Sequence, residues 1–257
     1  MSLKSRLAAA AAAAGIAGLL AAGLGASHRN VPPPLPASPA PALRIGAPKG
    51  LASERYVTRW TVVRTPSAAR VAPNARARVV ARIAATTPEG TPNLLAVLNV
   101  ASDARAALWV RVRLPVLPNG TDGWVPRRAL GPYVTVNTRL IVDRTTLRAT
   151  LYREGKVVFT APVGVGADAW PTPAGEYNVR SKLTRYASPF YGPVAFGTTA
   201  RSAVLTDWPA GGFVGIHGTD QPQLVPGHIS HGCIRMRNSD ILRLATLMPI
   251  GTPLTIR

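Results

Sequence analysis

Only one cysteine, Cys233, occurs in the chain, so no intramolecular disulfide can brace it. Acidic residues are scarce as well. Eleven Asp and Glu stand against 30 Lys and Arg, and all but Lys4, Lys49, Lys156 and Lys182 of the basic set are arginine, giving a formal net charge of +19. Such an excess points to an anionic partner. Nucleic acid is not the expectation, because the charges are scattered singly through strand-like segments and no nucleic-acid-binding motif occurs. An anionic envelope polymer or a membrane surface fits better, and a merely solvated basic face explains the charge almost as well. Long helical patterns are also missing beyond the N-terminus. Strand-forming residues recur instead in short runs between Gly and Pro, which predicts a mainly β protein with little helix. No internal repeat is present.

The first segment, Met1-Ser2-Leu3-Lys4-Ser5-Arg6 followed by an uncharged run from Leu7 to Ala26, has the basic-then-apolar order of an export signal. Residues 1–27 are therefore expected to direct export to the periplasm or cell wall, either cleaved near Gly23–Ala26 or retained as a membrane anchor. Residues 28–53, rich in Pro and Ala, read as a stiff linker. A small β domain is expected over 54–132, with strands at Tyr56–Val63, Val79–Ile83, Leu94–Val100 and Leu108–Leu114. A second domain is expected over 134–257, with strands near Arg139–Val142, Leu147–Tyr152, Val157–Pro162, Tyr177–Val179 and Leu254–Ile256. The segment Arg153-Glu154-Gly155-Lys156 predicts a hairpin turn, and Asn238 or Ser239 is expected to cap a short helix burying Ile241, Leu244, Ala245 and Met248. The basic excess is larger upstream: +11 over residues 28–133 and +6 over 134–257.

Three of the four histidines and the cysteine fall between Phe213 and Asn238. A thiol accepts an acyl group well only as thiolate, so it needs a base or electropositive neighbours, and histidine serves as a base near neutral pH. An unpaired cysteine is more commonly a small buried hydrophobe. That reading leaves the glycine before Cys233, the arginine two residues after it and the nearby histidines unexplained. His217, His228, His231 and Cys233 also offer a mixed zinc set, though at a spacing unlike common zinc sites.

The run Ser230-His231-Gly232-Cys233-Ile234-Arg235-Met236, preceded by His217 and followed by Asn238 and Asp240, resembles the YkuD-like L,D-transpeptidase catalytic domain. The Thr172-Pro173-Ala174-Gly175 turn extends the likeness, which covers roughly the last 120 residues. Upstream, Val63-Arg64-Thr65-Pro66 and Gly123-Trp124-Val125-Pro126 with Arg127–Leu130 resemble the opening and close of a bacterial SH3-like domain.

These resemblances imply an SH3-like β-barrel followed by a β-sandwich with a short helix. They imply Cys233 as nucleophile, His217 as its base oriented by the Gly218 carbonyl, and His231, Gly232 and Cys233 N–H groups as oxyanion donors, with Gly232 permitting close approach. Arg235 is implied to bind a substrate carboxylate, its alternative being an ion pair with Asp240 or Asp207, while Ser230 and Asn238 fix the loop at the substrate site. The reaction implied is 3→3 cross-linking of peptidoglycan stem peptides, as donor and acceptor, through a thioester with release of D-alanine, without metal or cofactor. Carboxypeptidase or hydrolase action at the same residues, and non-catalytic wall binding, are the alternatives.

Overall fold

Short runs of strand-forming residues turn most of the described chain into strands; some, such as Thr138–Asp143, alternate buried and more exposed side chains, and others, such as Leu94–Ser102, bury consecutive ones. The structure, a computed structural model, describes residues 49–50, 56–184, 188–205 and 212–257. The expected leader, and the expected linker apart from Lys49–Gly50, lie outside the described residues.

The upstream half contains β1 (Lys49–Gly50), β2 (Thr58–Val62), β3 (Ser67–Arg70), β4 (Val79–Ile83), β5 (Leu94–Ser102), β6 (Leu108–Arg113), β7 (Asp122–Pro126) and β8 (Val134–Val136). They form one sheet in the order β4-β3-β7-β6-β5-β2-β8, with β1 added on β5. Its core is a cluster including Val63, Ile83, Leu95, Val97, Val110, Val112 and Leu114.

The downstream half contains β9 (Thr138–Asp143), β10 (Arg148–Arg153), β11 (Lys156–Pro162), β12 (Gly164–Gly166), β13 (Gly175–Leu183), β14 (Ala195–Arg201), β15 (Phe213–His217), β16 (Gly227–Ser230), β17 (Ile234–Arg235), helix α1 (Asn238–Leu247) and β18 (Pro253–Ile256). The strand order is β11-β10-β9-β18-β13-β14-β15-β17-β12-β16. β13 is the pivot. Its first residues pair with β18, its later residues pair with β14, and the ladder with β14 is irregular between Val179 and Ser181. The two groups of strands joined at β13 share one hydrophobic cluster, to which β9 contributes Leu140 and Val142, β10 Ala149 and Leu151, β11 Phe159 and Ala161, and the site strands Ile216 and Ile234. Full burial of each large aliphatic side chain there stabilises the fold by about 1.5–3 kcal/mol.

The β10–β11 turn forms as expected. Arg153 pairs with Lys156, and Glu154 and Gly155 both have positive φ (51° and 78°), the conformation a two-residue hairpin loop of matching twist requires. α1 forms too, burying Ile241 and Leu244, with Met248 buried at its C-cap, while Ala245, expected in the core, is only partly buried. Its expected cap does not. Arg237 occupies the N-cap position with no side-chain cap hydrogen bond, and Asn238 is already helical, its amide oxygen serving a different loop described below.

Both sheets belong to one compact unit, Arg44–Arg257, in which β5 packs against β13. Trp60 of β2 lies on Gly251, just before β18. Gly251 has φ +85°, and a Cβ there would run into the indole. Gly251→Ala is expected to combine left-handed strain with overpacking and to destabilise the protein by about 2–4 kcal/mol in urea unfolding. A loss below about 1 kcal/mol would show that the two halves do not depend on this contact.

Candidate active site

The site is assembled by one short parallel pairing. β15 and β17 align Ile216 with Ile234 and His217 with Arg235, and the Met236 N–H donates to the His217 carbonyl at 2.9 Å. Alternation then sorts the side chains: Ile216 and Ile234 enter the core, while His217, Cys233 and Arg235 line a pocket. Phe190, Tyr191, Phe213 and His231 line the same pocket.

His217 is 1% exposed. Its Nδ1 lies 2.6 Å from the Gly218 carbonyl oxygen, and a carbonyl can only accept, so Nδ1 carries the proton and Nε2 is the basic nitrogen. Burial, and to a lesser degree the Arg235 guanidinium, lower its pKa to about 4 against the hydrogen bond to Gly218, so the ring is neutral near pH 7. The turn that presents the Gly218 carbonyl is held in place. The Thr219 N–H donates to Asn238 Oδ1 at 2.9 Å, so the first residue of α1 fixes the backbone that orients the imidazole.

Cys233 is partly buried, and the Gly215 N–H reaches its Sγ at 3.4 Å. Burial raises the thiol pKa, opposed by that N–H and by Arg235. The resting pair is therefore a thiol beside a neutral imidazole.

The loop before Cys233 is tied from both sides. Ser230 Oγ donates to the Cys233 carbonyl at 2.6 Å and accepts from the Gly232 N–H at 3.1 Å. Thr172 Oγ1 donates to the Gly232 carbonyl and accepts from the Gly166 N–H, both at 2.8 Å. Gly232 has φ +110°, open to glycine and strained for other residues. Its N–H is thus engaged within the loop. His231 is exposed, its ring 4.2 Å from that of Trp170.

Arg235 is 5% exposed, lies 4.6 Å over the Phe190 ring, and its Nε has no hydrogen-bond partner among the described residues. It forms no ion pair with Asp240, and Asp207 lies outside the described residues. His228 is exposed and turned toward the Gly166 carbonyl, 3.3 Å from its Nδ1. Among the described residues no three His, Cys, Asp or Glu side chains converge as metal ligands, so the zinc set considered from the sequence is not assembled.

Sequence reasoning missed the aromatic walls. Tyr191 meets His217 edge-on with ring centroids 4.7 Å apart, and Phe190 and Phe213 flank the pocket. Pro189–Tyr191, a short 3-10 turn far from Cys233 in sequence, carries the signal in its adjacent aromatics but not its destination.

The L,D-transpeptidase catalytic-domain profile (YkuD) matches residues 137–256. YkuD of Bacillus licheniformis is 32% identical over 122 residues, 48% of this chain and 67% of that protein, and YkuD of Bacillus subtilis is 32% identical over 125 residues, 49% and 68%. The chain belongs to the L,D-transpeptidase family. The NMR structure of the catalytic domain from E. faecium L,D-transpeptidase is 27% identical, covering 47% of this chain and 96% of that one, with a TM-score of 0.36. Within the family's catalytic domain lie all of the pocket residues described above, since Phe190 to Arg235 fall inside the matched range.

The depressed His217 pKa has a measurable consequence. Between the unfolded value near 6.5 and the folded value near 4, the unfolded chain binds a proton that the folded chain does not. Stability is therefore full above pH 6.5 and falls as pH drops toward 4, by up to roughly 3 kcal/mol from this group. His217→Gln should flatten that part of the unfolding free-energy profile; identical slopes in the two proteins would contradict a buried neutral imidazole.

Proposed function

We propose that this L,D-transpeptidase is an exported wall enzyme that cross-links peptidoglycan stem peptides 3→3 through a thioester on Cys233. The observation that carries the reading is the shared pocket: a thiol, a histidine with its Nδ1 proton committed to Gly218, and a buried arginine whose Nε is unpartnered. Nε2 of His217 takes the thiol proton as Sγ attacks the carbonyl of the third stem residue. The tetrahedral oxyanion is received by backbone N–H groups of the loop. Because the Gly232 N–H already serves Ser230, the Cys233 N–H is the donor favoured. Collapse expels D-alanine, whose nitrogen receives the proton from His217. An amine on a neighbouring stem then attacks the thioester and restores the thiol.

Arg235 suits a free carboxylate of the donor stem, since a desolvated guanidinium gains most from a charge-assisted pair. His231, stacked on Trp170 at the rim, shapes the entrance, and Ser230, Gly218 and Asn238 hold the groups that touch substrate. Residues 54–132 are read as an SH3-like module whose basic surface engages an anionic envelope polymer or membrane surface, and residues 1–27 as the export segment.

Intact mass spectrometry after incubation with a disaccharide-tetrapeptide should show an adduct that lacks D-alanine, then dimer. Cys233→Ala should give no adduct with an unchanged thermal midpoint. His217→Gln should slow acylation by about 10²–10⁴-fold, the range a general base contributes. Tripeptide without dimer would make the enzyme a carboxypeptidase, and no adduct with stem peptide or carbapenem would leave wall binding as the function. Arg235→Ala should raise the KM for donor about 10–100-fold, in keeping with loss of a charged hydrogen bond; unchanged kinetics would remove its carboxylate role.

A further inference from the structure

The upstream half does not merely precede the catalytic domain; it reaches the pocket wall. Arg180, on β13, is a charged residue whose side chain is 1% exposed, and its partner comes from the other half of the molecule. Glu89, between β4 and β5, accepts from Arg180 Nη2 at 2.5 Å with its own side chain 23% exposed. The paired guanidinium lies 3.8 Å from the centroid of the Phe213 ring, and Arg201 approaches the same ring at 4.9 Å. Phe213 lines the pocket that holds Cys233 and His217.

A second upstream loop grips the adjacent backbone. Asn119, between β6 and β7, donates from Nδ2 to the Arg201 carbonyl at 2.7 Å and accepts from the Arg201 N–H at 3.1 Å. Arg201 and Phe213 are paired residues on β14 and β15. One amide side chain therefore satisfies both backbone groups of the strand residue opposite Phe213.

A buried guanidinium is costly unless paired, and the acid that compensates Arg180 comes from the upstream half. A solvent-facing pair would be worth little, but this one is desolvated on the arginine side, where removing the acid is strongly felt. The aromatic ring on the guanidinium face is then held at a fixed place by charge supplied from 91 residues earlier in the chain.

We propose that Glu89 is a positioning residue for the acyl-donor pocket: by holding Arg180 against Phe213 it sets the pocket wall on the side of the upstream domain. The inference rests on the transpeptidase reading only for the identity of the ligand, since the wall is built whatever the pocket accepts. Ligand selection in this enzyme is accordingly a property of both halves of the chain.

The test uses the full chain after the leader, comparing Glu89→Gln with the parent and with Glu89→Asp. Cys233 is labelled with iodoacetamide, small enough to ignore the wall, and with N-phenylmaleimide, which must fit the pocket; acylation by the disaccharide-tetrapeptide is followed in parallel. Glu89→Gln should leave iodoacetamide labelling within about twofold, change the ratio of the two labelling rates at least about fivefold, and raise KM for the peptide more than it lowers kcat. Glu89→Asp should recover part of the ratio. An unchanged ratio together with an unchanged KM would overturn the proposal. A parent that labels but is not acylated by peptide would overturn the transpeptidase reading alone, with the labelling ratio still deciding the role of Glu89. If Glu89→Gln does not fold, Asn119→Ala, which loosens the same wall through Arg201, is held to the same ratio.

Discussion

Pairing of His217 with Arg235 across two parallel strands is the constraint on which the rest of the site depends. β17 is only two residues long, so its register is held by few ladder bonds and by what the flanking residues do. A slip of β17 by one residue would turn Cys233 and Arg235 into the core and push Ile234 out, while β15 keeps its facing through its own ladder with β14. The structure guards against this with two buried isoleucines on one face and with hydroxyls on the other: Ser230 ties the loop to the Cys233 carbonyl, and Thr172 ties the Gly232 carbonyl to the end of β12. Packing selects the register; the hydroxyl bonds keep the turn that leads into it.

The electrostatics follow from the same burial. A thiol and an imidazole enclosed together disfavour charge on either, so both rest neutral. Proton transfer then belongs with nucleophilic attack rather than preceding it. What the fold supplies in advance is direction. The Gly218 carbonyl selects the tautomer, and Asn238, by holding Thr219, keeps that carbonyl aimed. The first residue named for the helix cap instead serves the site: Asn238 gives its acceptor to the catalytic loop, and α1 begins without a side-chain cap, a loss of about 1 kcal/mol in helix stability.

Local patterns were legible in the sequence and long-range ones were not. Short runs of strand-forming residues between Gly and Pro marked β4, β5, β6 and most of β9 to β11 closely, and Glu154-Gly155 marked its turn. β3, with Ser67-Ala68-Ala69-Arg70, has little intrinsic strand preference and forms because β4 and β7 flank it. β14 mixes Gly, Thr and Ala, with little strand signal of its own, yet it is a paired strand between β13 and β15. At the site, His217, Cys233 and Arg235 could be picked out because they sit in one short segment. Phe190 and Tyr191 could not, since only the tertiary fold brings them to the thiol; Phe213 bounds that segment but carries no mark of its place in the wall. The engagement of the Gly232 N–H by Ser230 was equally invisible, being a matter of loop geometry rather than residue type.

Arg235 joins the electrostatic and recognition arguments. Its charge, second to burial, helps keep His217 neutral, and it also favours thiolate on Cys233. On the proposed reading a donor carboxylate docks on this guanidinium, and the docked pair has far less net field than the arginine alone. Binding the substrate would then relax one of the two influences that hold the imidazole pKa down, making His217 a better base when an acyl group is in place. The same docking removes Arg235's help to the thiolate, so the gain falls on proton acceptance rather than on a preformed ion pair. Burial, the larger influence, stays in place. The arrangement therefore favours a thiol that rests neutral and loses its proton to His217 as it attacks.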